Sequence, residues 1–149
     1  MRKRGFEIVS AFVNEGLTCP ERKTKGSAGY DLSSRVDMVI KPKNIAFVPT
    51  GMKAYMEEDE VLLLYPRSSL GFKKQLMQVN SVGVIDSDYY NNPDNEGEIQ
   101  LIVYNFGNED VVIKKNERIA QGVFTKYLRV DKDHSVVKRL GGFGSTDKG

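Results

Sequence analysis

The chain of 149 residues predicts one all-β domain, a jelly roll or a related barrel, with at most one short helix. Three observations carry that prediction. Every apolar segment is short, turn-forming Gly, Pro, Asn and Asp recur at the spacing of sandwiches and barrels, and no window keeps a helical period for three turns. The length suits one domain with its own core and falls short of two.

The elements follow in order. FEIVSAFV, residues 6–13, reads as the first strand, and a polar loop leads through Pro20 into the lysine-rich ERKTKGS. AGYDLSS comes next, then RVDMVI, in which Val36, Met38 and Ile40 alternate with Asp37 as in a half-buried strand. IAFVPTG and MKAYM precede the solvated turn EEDE, and VLLLY runs to Pro66. PRSSLGFKK offers Ser68 and Ser69 at the start of the one expected helix, which Gly71 keeps short. NSVGVIDSDYYNNPDNEG, residues 80–97, reads as a hairpin, because β-branched residues and Gly83 are bounded by turn formers. EIQLIVYNF places Ile99, Leu101 and Val103 on one face, with Ile102 and Tyr104 on the other. VVIKKNERIAQGVFTKYLRV gives two strands split by KKNE. The domain is expected over residues 1–137. Residues 138–149 form a glycine-rich arm with too few apolar side chains to pack alone, expected to be flexible and to close the site.

Composition excludes several function classes. The 22 basic and 20 acidic residues nearly cancel, so no overall field favours nucleic acid or a membrane surface. The single cysteine, Cys19, permits no disulfide framework, and the single histidine, His134, anchors no zinc site. No run is long enough to span a membrane and MRKRGFEIVS has no signal-peptide pattern, so a reducing, cytoplasmic location is expected.

Residues 80–97 hold the chemistry. Strand amides and carbonyls can face a flat polar ligand, Asp86 can take a proton and Tyr89 can cover a sugar or base. Taken alone, Asp86 is more readily a solvated turn residue than a catalytic one, and Asp88 reads as a structural or turn residue.

Five segments change that balance. AGYDLSS, PRSSLGFK, GVIDSDY, ERIAQGVF and GGFGST occur in this order from residue 28 to residue 146 and resemble the five motifs of the dUTPases. The resemblance implies a distorted jelly roll of that type. It implies hydrolysis of dUTP to dUMP and pyrophosphate, which limits uracil in DNA and supplies dUMP for dTMP synthesis. It also implies a homotrimer with sites between subunits. Asp86 would orient and deprotonate the water that attacks the α-phosphorus. Mg²⁺ would arrive on the triphosphate, with Asp31 contacting it through water. Arg67, Ser68, Ser69 and Gln121 would hold phosphates. Asn80 and the backbone of Gly83, Val84 and Ile85 would read uracil, Tyr89 would lie beneath the deoxyribose, and Ile99 and Gln100 would line the far side of the base pocket. Arg139, Gly144, Ser145 and Thr146 would touch phosphate, with Phe143 a lid over the base.

Four departures accompany the resemblance. Ser69 and Asp147 stand where the family has glycine, Lys138 stands where it has arginine, and seven residues rather than one separate Tyr89 from Gly97. That longer tip is expected to extend over solvent, and as an exposed polar loop it raises a second reading: a regulatory protein that binds a partner through residues 90–97. The enzymatic rival is a relative of the dCTP deaminases, whose glutamate-centred site has no counterpart here.

Overall fold

The computed structural model describes residues 1–142, and these form a mostly β structure with one helix. Its largest sheet has five strands in the order β2-β3-β12-β7-β9: β2 (Glu21–Arg22), β3 (Tyr30–Ser33), β12 (Arg118–Lys126), β7 (Glu60–Pro66) and β9 (Gly83–Asp86). A three-stranded sheet runs β5 (Ile45–Pro49), β10 (Gln100–Asn105), β8 (Leu76–Gln78). Two ribbons complete it, β1 (Gly5–Ile8) with β6 (Met52–Tyr55), and β4 (Met38–Ile40) with β11 (Val111–Ile113). The described strands form separate sheets and no barrel closes, so the jelly-roll expectation stands and the barrel does not.

The core lies between the sheets. Leu32, Leu62, Leu64 and Ile85 reach it from the five-stranded sheet, and Val48, Leu76, Leu101 and Val103 from the three-stranded one, all 5% exposed or less. Burying each such side chain contributes roughly 1.5–3 kcal/mol. The alternation predicted for β10 is observed, with Leu101 and Val103 inside and Ile102 and Tyr104 partly outside.

The one helix, α1 (Ser68–Lys74), appears where the sequence placed it. Arg67 occupies the N-cap and no side chain caps the helix, so the serine hydroxyls remain unspent on it. It ends at Gln75 in the left-handed conformation, whose N–H bonds to Gly71 O at 3.0 Å.

Two expectations are corrected. The first strand stops at Ile8: the Val9 N–H turns away to Gly51 O at 2.8 Å, and the Val9 carbonyl accepts from Phe12 N–H at 2.8 Å, starting a 3₁₀ turn over Ser10–Phe12. Residues 80–97 are not a hairpin. β9 pairs antiparallel with β7, Leu64 opposite Gly83 and Val61 opposite Asp86, because the apolar VLLLY strand offers a complete edge for it. A Cβ on Gly83 would stand 2.9 Å from Leu64 Cβ, so this pairing requires glycine.

After Asp86 the chain enters a 3₁₀ turn, Ser87–Tyr89, and a tightly bonded loop. Asn92 is the loop's hub: its amide donates to Tyr89 O at 2.7 Å and Asn95 Oδ1 at 2.8 Å, and its carbonyl accepts from the Asp94 and Asn95 N–H groups. Lys53, largely buried, donates to Glu96 and to Asn91 Oδ1, both at 2.6 Å, while Ser10 binds Glu96 and Tyr90 donates to Glu7. The loop therefore lies against β1 and β6 instead of extending over solvent.

Candidate active site

The outward face of the five-stranded sheet gathers most of the candidate residues. Directly paired residues of an antiparallel sheet share a face, as do residues two apart on one strand. Asp31 faces Gln121, Gln121 faces Tyr65, Leu63 faces Val84 and Val61 faces Asp86, so Asp31, Gln121, Val84 and Asp86 all point outward. Gly83 and Ile85 point inward, and Ile85 is core. On its outer side β9 has no described strand.

The face has two ends. At one, Asp86 closes β9. Burial pushes its carboxyl above the usual aspartate range, the neighbouring Arg139 guanidinium opposes that, and Asp88 adds to it. Arg139 donates to Asp86 Oδ2 at 2.6 Å and to Asp88 Oδ1 at 2.7 Å. Tyr89 is buried, its hydroxyl donating to Glu98 O at 2.7 Å and accepting from Asn95 Nδ2 at 2.9 Å, with the Arg139 guanidinium carbon 5.8 Å from its ring centroid. Asn80, exposed, stands in the turn before β9, where its carbonyl accepts from Val82 N–H at 2.6 Å.

At the other end, Arg118 donates to Asp31 Oδ2 at 3.2 Å. Gln121 lies against Gly29, where any Cβ would overlap its side chain, which explains the glycine of AGYD. The Arg67 N–H donates to Ile119 O at 2.9 Å, tying the start of α1 to β12. Ser68 is exposed and Ser69 partly so.

Within one chain these ends do not meet. Val61 opposes Asp86 and Tyr65 opposes Gln121, four residues apart on β7. That is about 13 Å along the strand and, across two strand spacings, about 10 Å sideways. Arg67 is farther still.

The face accounts for some candidates and not others. Ile99 is corrected: it is fully buried, its N–H bonds to Met52 O at 2.8 Å and its carbonyl accepts from Thr50 N–H at 3.1 Å and Thr50 Oγ1 at 2.6 Å, so no group remains for a base. Gln100 is partly buried at the start of β10. Phe143, Gly144, Ser145 and Thr146 lie outside the described residues. Two residues that sequence reasoning did not use stand at the ends: Arg118, whose reach to Asp31 depends on the β3–β12 register, and Asp88, for which the only signal was a second acid two residues after Asp86.

No group of three or more His, Cys, Asp or Glu among the described residues could hold a metal ion. Among them, too, no helix is long and apolar enough to cross a membrane.

Carboxylates at one end of an open β face, with a guanidinium, hydroxyls and an amide at the other, define a β-sheet protein suited to a phosphorylated, hydrogen-bonding ligand. The dUTPase family model matches residues 15–147. The deoxyuridine 5'-triphosphate nucleotidohydrolase of Lactococcus lactis is 51% identical over 148 residues, covering 98% of this chain and 99% of the relative. The enzyme of that name from Nautilia profundicola is 37% identical, covering 91% and 95%. The crystal structure of the dUTPase from Streptococcus mutans superposes with a TM-score of 0.82 at 48% identity, covering 85% of this chain and 98% of that one. The chain belongs to the dUTPase family.

Proposed function

We propose that the protein hydrolyses dUTP to dUMP and pyrophosphate by attack of water on the α-phosphorus, with Asp86 as the base that positions the water. The observation that carries this is the place of Asp86: outward at the end of an edge strand, half exposed, with a carboxyl made more basic by burial and by Asp88. An ordinary aspartate is a weak base near neutrality, so an upward shift and tight positioning are what the step needs. The backbone of β9 reads the uracil edge, Asn80 orients it, and cytosine, with its polarity reversed, leaves buried groups unpaired at about 1–3 kcal/mol each. Tyr89 supplies the floor beneath the sugar.

Arg67, Ser68, Ser69 and Gln121 hold phosphate oxygens, and Arg139 adds a guanidinium from the arm. Mg²⁺ fits this donor set only as an ion brought by the triphosphate, since the described residues build no cage for it, and Asp31 would contact it through water. When bound, the ion neutralises phosphate charge.

Because the two ends lie too far apart in one chain to serve neighbouring phosphates, we read the working site as shared between copies in a homotrimer. Ile45, Phe47 and Met77 leave a partly exposed apolar patch on the three-stranded sheet, and Leu128, Val130, Val136, Val137 and Leu140 are nearly bare along the arm's stem, as expected of surfaces covered by another subunit. Tyr90, Asn91, Asn92, Asn95 and Glu96 of the loop bond to their own chain, which leaves chiefly Pro93 and Asp94 for a partner-binding role.

The deciding experiment assays pyrophosphate release from dUTP in magnesium buffer by the native protein and by Asp86→Asn, with dCTP deamination measured alongside. Rapid release that the variant loses is expected. Intact dUTP, deamination of dCTP, or equal rates in the two proteins would overturn the reading.

A further inference from the structure

The loop between Tyr89 and Gly97 closes at its neck, where the Asn91 N–H donates to Glu96 O at 2.9 Å. Tyr89 and Gly97 therefore stand against each other, and a Cβ on Gly97 would come within 2.7 Å of Tyr89 O. The residues that the loop adds turn back onto that tyrosine and hold it at both ends. At the backbone end, Asn92 gives Tyr89 O both its main-chain N–H, at 3.3 Å, and its side-chain amide, at 2.7 Å. At the ring end, the Tyr89 hydroxyl donates to Glu98 O at 2.7 Å and accepts from Asn95 Nδ2 at 2.9 Å. Asn95 Oδ1 in turn accepts from Asn92 Nδ2 at 2.8 Å and from the Gly97 N–H at 3.0 Å, which fixes the amide with its N–H aimed at the phenol. Lys53 and Ser10 bind Glu96, so the frame of this clamp is fastened to β6 and to the turn after β1.

A ring pinned at its hydroxyl as well as its backbone cannot recede from a ligand laid on it. That matters for discrimination by shape, because a wall that yields admits a larger ligand, and shape alone turns away an added hydroxyl by only about 10²-fold. We infer that Asn95, supported by Asn92, is a specificity-determining positioning residue: it fixes the Tyr89 ring against the 2′ position of the sugar, so that a nucleotide carrying a 2′-hydroxyl is refused. The inference rests on the reading of Tyr89 as the floor beneath the sugar. The role belongs to the residues the loop adds, since a connection of one residue between Tyr89 and Gly97 would hold neither asparagine. The polar insert thus serves the site from behind, acting on substrate only through the tyrosine.

The test compares kcat/KM for dUTP and for UTP, the same nucleotide with a 2′-hydroxyl, using the full chain in magnesium buffer. Asn95→Ala is expected to raise the value for UTP about 10-fold, part of what shape alone can discriminate, and to keep that for dUTP within about 2-fold. Asn95 is partly exposed, and the unfolding temperature of the variant checks its fold. Asn95→Asp keeps the oxygen that Asn92 and Gly97 use and removes the N–H given to the phenol, so it should reproduce the gain with the loop intact. Tyr89→Phe, which removes the hydroxyl, should show the same gain for UTP. Combining it with Asn95→Ala should add nothing further, because both changes break one contact. A UTP value unchanged in both Asn95 variants, an equal loss on both nucleotides in both, or gains that multiply in the double variant would overturn the assignment. Native protein that leaves dUTP intact would instead end the enzymatic reading on which it stands, a result seen before any variant is compared.

Discussion

The two ends of the outward sheet face are opposite in how far they are satisfied. At the Asp86 end both carboxylates already hold a cation from the same chain, and the loop beyond is closed by its own asparagines. At the other end Asp31 is paired with Arg118, but among the described residues the side chains of Arg67, Ser68 and Ser69 take part in no hydrogen bond. One end is a finished local structure and the other holds donors in reserve. On the function proposed above, such a face is completed by the phosphates of the ligand and by the opposite end of another copy's face.

That contrast can be broken most severely at Asp86. Replacing it with asparagine is expected to lower kcat for dUTP by about 10²–10⁴-fold with little change in folding, the usual contribution of a positioned base; a pyrophosphate-release assay measures it. Arg67→Ala is expected to cost about 10²-fold, as for loss of a charge-assisted phosphate contact. Mixing it with Asp86→Asn under conditions that exchange subunits should restore turnover, because some sites then combine two intact ends. Failure of the mixture to regain activity would place both ends in one chain.

The finished end can be loosened without touching the chemistry. Glu96→Gln leaves the largely buried Lys53 ammonium without its anionic partner, and should destabilise the protein by about 2–3 kcal/mol in denaturant melts. The Lys53 ammonium and the Ser10 N–H hold the Glu96 carboxyl down to about 2, so its stabilisation is complete above the unfolded value near 4.5 and is lost as pH falls towards 2. The gap between native protein and Glu96→Gln should close across that window.

The smallest expected effect is a displacement of the pH profile. Burial raises the Asp86 carboxyl and Arg139 lowers it, so activity should fall as pH drops through a value above that of an ordinary aspartate. In kcat/KM, which reports the free enzyme, Arg139→Ala, with the opposing charge gone, should move that acid limb to higher pH. A limb of kcat/KM that stayed in place would mean that the pair is absent before substrate binds.

Much of this molecule was readable before folding. The short alternating runs of β7 and β10 and the helix at Ser68 follow from local pattern, and Asp86 stood out because GVIDSDY lies among four companion segments in order. What could not be read depended on partners distant in sequence. The supposed hairpin at 80–97 had correct β-strand chemistry, but the edge that captured β9 belongs to β7. The polar insert looked like an exposed tip because its composition is that of a solvent loop, yet Lys53, Ser10 and Glu7 bind it down. Ile99 was chosen by counting along the chain, and the register of the sheets turned it inward.

The sequence by itself therefore determined the β class, the place of the one helix and the family, and it singled out Asp86 as the carboxylate on which the proposed chemistry rests, since each follows from side-chain periodicity or from contiguous residues. Only the tertiary structure decided which strand β9 joins, that Arg139 returns to Asp86 and Asp88, and that Arg67 and Gln121 stand apart from Asp86. The physical reason is that these arrangements are set by strand register and by ion pairs between segments more than 50 residues apart, where the energy lies in the meeting of two surfaces and neither segment carries it alone.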